Sequence, residues 1–204
     1  MPSIYILLTK TNSTLSRAIA SRTKETYVHA SIITSNHLEY GYSFSRRKIK
    51  NPIIGGFVKE EYSKWVEYFE DVQCCIYELE VTQVQYKKIE DIIKSFDEEK
   101  QKYKYHFLGL VGQSFNIDIE RKNRFFCTQF VAHVLTESGA LELNKLPIHT
   151  RSEDFKNHER LNLLYEGPLE PILFNKIKDI SKGKGSIKKN GCNPSTPVQL
   201  YNSL

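Results

Sequence analysis

The stretch "NRFFCTQFVAHVL", residues 123–135, decides how this chain is read. Phe126, Phe130 and Val134 fall on one stripe of an amphipathic helix, and Cys127 lies about 100° from Phe126 around the axis, at the edge of that stripe. With Asn123 as the expected N-cap, Cys127 falls in the first turn, where unpaired backbone N–H groups and the helix dipole favour an anion. Arg121, Lys122 and Arg124 just upstream are unfavourable for a helix start and favourable for a thiolate. The same position also suits a packed structural thiol, because free cysteine is among the most commonly buried residues.

A thiolate nucleophile needs an imidazole, and the sequence offers six histidines. His133 lies on the same helix but about 120° around the axis from Cys127, which makes it a poor partner. His37 falls in a turn, and His106, His149 and His158 have no strand to hold them. His29 differs, because in "YVHASII" (27–33) it alternates with Tyr27, Ser31 and Ile33 on one face of a strand, which fixes a ring rigidly. A three-residue loop Ser35-Asn36-His37 would pair that strand with "LEYGYSF" (38–44) and set Ser43 opposite His29. Glu39 would share the face about 13 Å further along, and a two-residue loop would bring up Tyr42 instead. Ser43 is the expected orienting group, with the alternatives open.

Around this pair the chain reads as one domain of strands and helices. "SIYILL" (3–8) is a buried strand, followed by a short helix capped by Asn12 or Ser13 with Leu15, Ala18 and Ile19 on one face. "NPIIGGFVKEEY" (51–62) carries the Pro and paired Gly of a loop, and "CCIYELEV" (74–81) is a further strand. Thr82 and Gln85 form a capping box ahead of a helix striped with Ile89, Ile92, Ile93 and Phe96. "KYKYHFLGLVGQSFNI" (102–117) is apolar but interrupted by Gly109 and Gly112, and it takes no single assignment. The cysteine helix should stop at Gly139, and "TRSEDFKNHERLNLLYEGPL" (150–169) supplies a capped turn and a closing strand.

At 204 residues and 40% apolar, the chain can bury one substantial core. The expected domain covers residues 1–171, and residues 172–204 form a basic tail expected to be disordered. The net charge of +5 sits wholly in residues 175–204, with six lysines and one aspartate, so the body is neutral and lacks the basic face of a nucleic-acid binder. No stretch suits a membrane span and the N-terminus does not read as a secretory signal, so no stable membrane insertion and a cytoplasmic location are expected. The spacing of the four cysteines points to neither metal nor disulfide, and no cofactor is expected.

An early histidine strand "VHASI", a hairpin, and then a cysteine arriving on "FFCTQFV" resemble the circularly permuted papain-like branch of the NlpC/P60 superfamily. Within it the chain is similar to YiiX/YaeF-like cysteine amidases over residues 3–170, including "LTKTNSTLSR", "YSFSRRK", "NPIIGGFVKEEY" and "SEDF". The resemblance implies an α+β fold, a small antiparallel sheet or barrel packed against helices. It also implies Cys127 as nucleophile and His29 as base of a hydrolase that cuts a small peptide, amide or acyl substrate through an acyl-thioester. Relatives often carry a glutamate where this chain has Ser43, and a serine supplies no carboxylate charge. Two alternatives stand beside the hydrolase. One is a lecithin retinol acyltransferase-like acyltransferase or thioesterase, whose N-C-E-H-F-V element is here Phe126-Cys127-Thr128-Gln129-Phe130-Val131. The other is a non-catalytic binding module in which "SRRKIK" (45–50) meets an acidic ligand.

Overall fold

The computed structural model describes residues 1–48, 51–106, 121–173 and 175–180. Its centre is β1 (Ser3–Lys10), where every side chain from Ile4 to Leu8 is buried. A strand apolar on both faces must be covered on both sides, and β1 lies inside a six-stranded antiparallel sheet of order β4-β3-β2-β1-β5-β8. Its members are β2 (His29–Ile33), β3 (Tyr40–Lys48), β4 (Asn51–Glu61), β5 (Gln73–Glu80) and β8 (Asn162–Pro168). The α+β expectation is met by this sheet and the helices on it.

One sheet face carries Ile4, Ile6, Ala30, Ile32, Phe44 and Phe57 and packs against α3 (Gln83–Glu98) and α4 (Cys127–Glu137). Helix α3 begins at the expected capping box, with the Gln85 amide donating to Thr82 Oγ1 at 3.2 Å and the Thr82 amide to Gln85 Oε1 at 2.9 Å. The opposite face carries Tyr5, Leu7, Ile33, Cys74 and Ile76 under α2 (Tyr62–Tyr68) and the C-terminal segment. That segment includes Ile172, Leu173, Ile177 and Ile180, all buried, the last two on α5 (Ile177–Ile180). The domain therefore runs past the expected limit of 171, because the apolar side chains interleaved with Lys176 and Lys178 dock on the sheet. The Ile177 amide donates to Asn36 O at 3.1 Å, fixing the segment to the β2–β3 connection. The tail expectation for 181–204, Cys192 included, lies outside the described residues.

Two further expectations change. "NPIIGGFVKEEY" forms β4 rather than a loop, and its glycines serve close packing. A Cβ on Gly55 would lie 2.7 Å from Ser45 O and 2.7 Å from Tyr105 Cβ, and one on Gly56 would lie 2.7 Å from Tyr103 O. The β2–β3 connection is also longer than a three-residue hairpin, since β2 ends at Ile33, β3 starts at Tyr40, and Ile32 pairs with Tyr42. Leu38 leaves the ladder to enter the second core, and Glu39 O accepts from the Tyr62 amide at 3.1 Å. The stretch from residue 102 supplies β6 (Lys104–Tyr105), parallel to β7 (Arg124–Phe125), and its remainder beyond His106 lies outside the described residues. Helix α1 (Thr14–Thr23) is capped by Ser13, and Ile19 is half-buried. The Leu15 and Ala18 side chains lie outside the described part.

Candidate active site

Cys127 is the first residue of α4, three positions closer to the helix start than an Asn123 cap would place it. Phe126 is the N-cap, its amide donating to Gln129 Oε1 at 3.4 Å, while Asn123 takes a left-handed φ of 57° in the turn before β7. At the other end Gly139, φ 69°, closes a Schellman motif in which the Ala140 amide donates to Leu135 O at 3.0 Å and the Gly139 amide to Thr136 O at 3.0 Å.

Aromatic packing fixes the helix start. Phe125 and Phe130, on either side of Cys127, meet the Phe44 ring with centroids 5.1 and 5.3 Å apart. Phe96 of α3 joins the same cluster, 5.2 Å from Phe130. Cys127 is 2% exposed, and its Sγ lies 3.9 Å from Val28 O, the carbonyl just before His29.

His29 opens β2, and its Nε2 stands 3.0 Å from Glu60 Oε2. Glu60 is a β4 residue whose side chain is 3% exposed, against 15% for the imidazole. Glu60 engages Nε2, and the Cys127 thiol neighbours the ring. Burial opposes the charged imidazole, but the Glu60 carboxylate and the neighbouring Cys127 outweigh it and raise His29 to about 10. Trp65 of α2 covers the ring, with centroids 5.2 Å apart.

Tyr105 is the third neighbour of the thiol. Burial raises its hydroxyl well above the usual range, the Cys127 sulfur beside it adds to the shift, and Arg46 opposes it. Tyr105 reaches this place because β6 runs over the side-chain-free edge at Gly55 and Gly56 and pairs with β7, immediately before Cys127. His29, Trp65, Tyr105, Phe44, Ile19 and Arg46 border a cleft of about 70 Å³.

The structure thus brings Cys127 and His29 together and places Glu60, rather than Ser43, at hydrogen-bond distance from the His29 ring. Ser43 is fully buried, and its Oγ donates to Ala30 O at 2.7 Å and more weakly to Phe44 O at 3.5 Å, tying β3 to β2. The expectation that Ser43 orients His29 rested on the short hairpin and gives way with it. Glu39 is exposed and Tyr42 stacks on Phe57 at 6.1 Å. His133 packs against Phe125 and Phe96, and burial lowers its pKa. Arg121 and Lys122 are exposed, and the cation acting at Tyr105 is Arg46 of "SRRKIK". Glu60 and Tyr105 were missed because each lies in a stretch whose glycines or length hid a strand. Read as a strand, "GFVKEE" places Glu60 in phase with Gly56 and Val58.

No family model matches the chain, and no curated protein matches it either. Among solved structures it superposes on the metalloprotein YiiX of Escherichia coli O157:H7 with a TM-score of 0.55 and 13% identity, over 81% of this chain and 97% of that one. The fold is YiiX-like. At that identity the likeness concerns the fold alone. Among the described residues no helix is long and apolar enough to cross a membrane.

Proposed function

We propose that this chain is a cysteine-dependent hydrolase, an amidase or peptidase, built on a permuted papain-like plan with Cys127 as nucleophile, His29 as base and Glu60 as the group that orients His29. One observation carries the reading. The His29 ring is held at 3.0 Å by a buried carboxylate through Nε2 and neighbours a helix-start thiol, at the edge of a cleft. The order of histidine strand before cysteine helix and the YiiX-like fold support it. The neighbour is described as a metalloprotein; among the described residues of this chain no group of three or more His, Cys, Asp or Glu could hold a metal ion.

In this mechanism the Cys127 proton has already passed to His29, Cys127 Sγ attacks a substrate carbonyl carbon as the thiolate, and Glu60 stabilises the imidazolium. The oxyanion of the tetrahedral intermediate accepts from the Cys127 amide, which as the first amide of α4 has no intrahelical partner. Collapse breaks the bond to the leaving amine, which takes the proton from His29. Water, deprotonated by His29, then attacks the thioester carbon and releases the acid and the thiol.

The test is intact-protein mass spectrometry after incubation with activated acyl esters and amides. An acyl adduct should form on the wild type and be absent from Cys127→Ser. His29→Ala should lower turnover by about 10²- to 10⁴-fold. Iodoacetamide separates a catalytic cysteine from a packed one, because burial pushes the Cys75 thiol up to about 12 and the Cys74 thiol well above its usual range. A Cys127 that alkylates no faster than these two would leave only a ligand-binding module.

A further inference from the structure

The cleft beside His29 has a second end. Thr9 of β1 is the register partner of His29, so the two side chains stand next to each other on the same sheet face. Thr9 is 1% exposed and lines the cleft, and its Oγ1 is buried without a hydrogen-bond partner. A buried hydroxyl left unsatisfied beside a cleft has the character of a group kept for a ligand.

Past Thr9 the chain turns into α1 through further hydroxyls on the same cleft. Ser13 Oγ accepts from Thr11 Oγ1 at 3.0 Å and from the Ser16 amide at 3.2 Å, and Ser16 Oγ accepts from the Thr11 amide at 3.3 Å. Both serines thus use lone pairs within the turn, which leaves their O–H protons to donate outward. The ten-residue helix behind them has no acidic residue in its first turn, so its dipole is not neutralised there. Among the described lining residues Arg46 contributes a formal cation, and no carboxylate is present.

We propose that Thr9, Ser13, Ser16 and the first turn of α1, with Arg46 across the cleft, form an anion subsite that holds a carboxylate or phosphate group of the substrate next to His29. The inference rests on reading the Cys127–His29 cleft as the active site. It narrows the substrate class to acyl compounds bearing an anionic group close to the scissile carbonyl. Thr9 Oγ1 and the serine hydroxyls donate to the anion oxygens, which gives the unpartnered Thr9 group the bond it lacks in the free protein.

The experiment is thermal melting of the full chain titrated with sodium phosphate, with glutarate and with sodium chloride at matched ionic strength. At least one of the two probes should stabilise the wild type in a saturable way that chloride does not reproduce, and the probe that saturates at lower concentration assigns the anion. Thr9→Val, which keeps the shape and removes the hydroxyl, should need about tenfold more of that anion. Arg46→Gln should weaken it too, and Ser35→Ala in the exposed β2–β3 connection should leave it unchanged. No stabilisation beyond chloride, or undiminished stabilisation in both Thr9→Val and Arg46→Gln, overturns the subsite. Iodoacetamide labelling separates the two readings. A Thr9-dependent anion effect with a Cys127 no more reactive than Cys74 and Cys75 keeps the subsite and removes the catalytic reading. A reactive Cys127 without an anion effect removes the subsite alone.

Discussion

His29 is pulled in two directions, by burial toward the neutral ring and by Glu60 and Cys127 toward the charged one, and the charged form wins up to a pH of about 10. Linkage turns this into a stability statement. A folded-state pKa above the unfolded value of about 6.5 means that the native protein holds more protons than the unfolded chain between those limits. The contribution is therefore complete below about pH 6.5 and is lost as pH rises through about 10. By NMR the wild-type His29 ring should stay protonated to about pH 10, and Glu60→Gln should bring its titration down toward the ordinary histidine range while the ring of His133, among Phe96 and Phe125, is unaffected. An unchanged His29 titration in Glu60→Gln would remove Glu60 from the site. Cys127 and His29 were legible in the sequence because helix and strand periodicity are local properties. Glu60 was not, because its bond to His29 spans 31 positions and depends on how β4 lies on β3.

At the scale of elements, the most legible features were those whose hydrogen bonds close within a few residues. The α3 capping box and the Gly139 stop are examples, each satisfied by groups no more than five positions apart. β4 was misread for the opposite reason. Its paired glycines suggest a turn, but they answer to Tyr103 and Tyr105, which lie about fifty positions away in sequence and press onto the strand. Gly55→Ala should therefore do two things. It should destabilise by about 1–3 kcal/mol in urea unfolding, because the new methyl meets the Ser45 carbonyl and Tyr105 Cβ. It should also alter Cys127 alkylation, because β6 carries Tyr105 against the thiol. Thr82→Ala provides the contrast. It should cost about 1 kcal/mol through the lost cap and leave the alkylation rate unchanged, because α3 supports the core and does not border the cleft.

At the scale of the whole molecule, the two sheet faces do different work. The face under α3 and α4 holds the aromatic cluster that sets Cys127, and the face under α2 and the C-terminal segment backs the strands that hold His29 and Glu60. The sequence made the first core plain through long amphipathic stripes. It hid the end of the second, because Ile177 and Ile180 alternate with Lys176, Lys178 and Asp179, and a stretch of that charge reads as solvated. Burial reverses that reading. Ile177 is fully buried and Ile180 is 3% exposed, in one cluster with Tyr5, Leu7, Ile33 and Leu38. Burying an isoleucine side chain is worth about 1.5–3 kcal/mol, so ending the chain at Asn175 should cost on the order of 3–6 kcal/mol in urea unfolding, an upper bound because the unfolded chain already buries some apolar surface. Ending it at Ile180 instead keeps the isoleucines, the Ile177 amide bond to Asn36 and the His37–Lys176 bridge. That shorter deletion removes only a segment without apolar periodicity and should leave the urea midpoint within a few tenths molar of the full chain. If both truncations unfold at the same urea concentration, the C-terminal helix contributes nothing to the second core, and the domain ends near residue 171 after all.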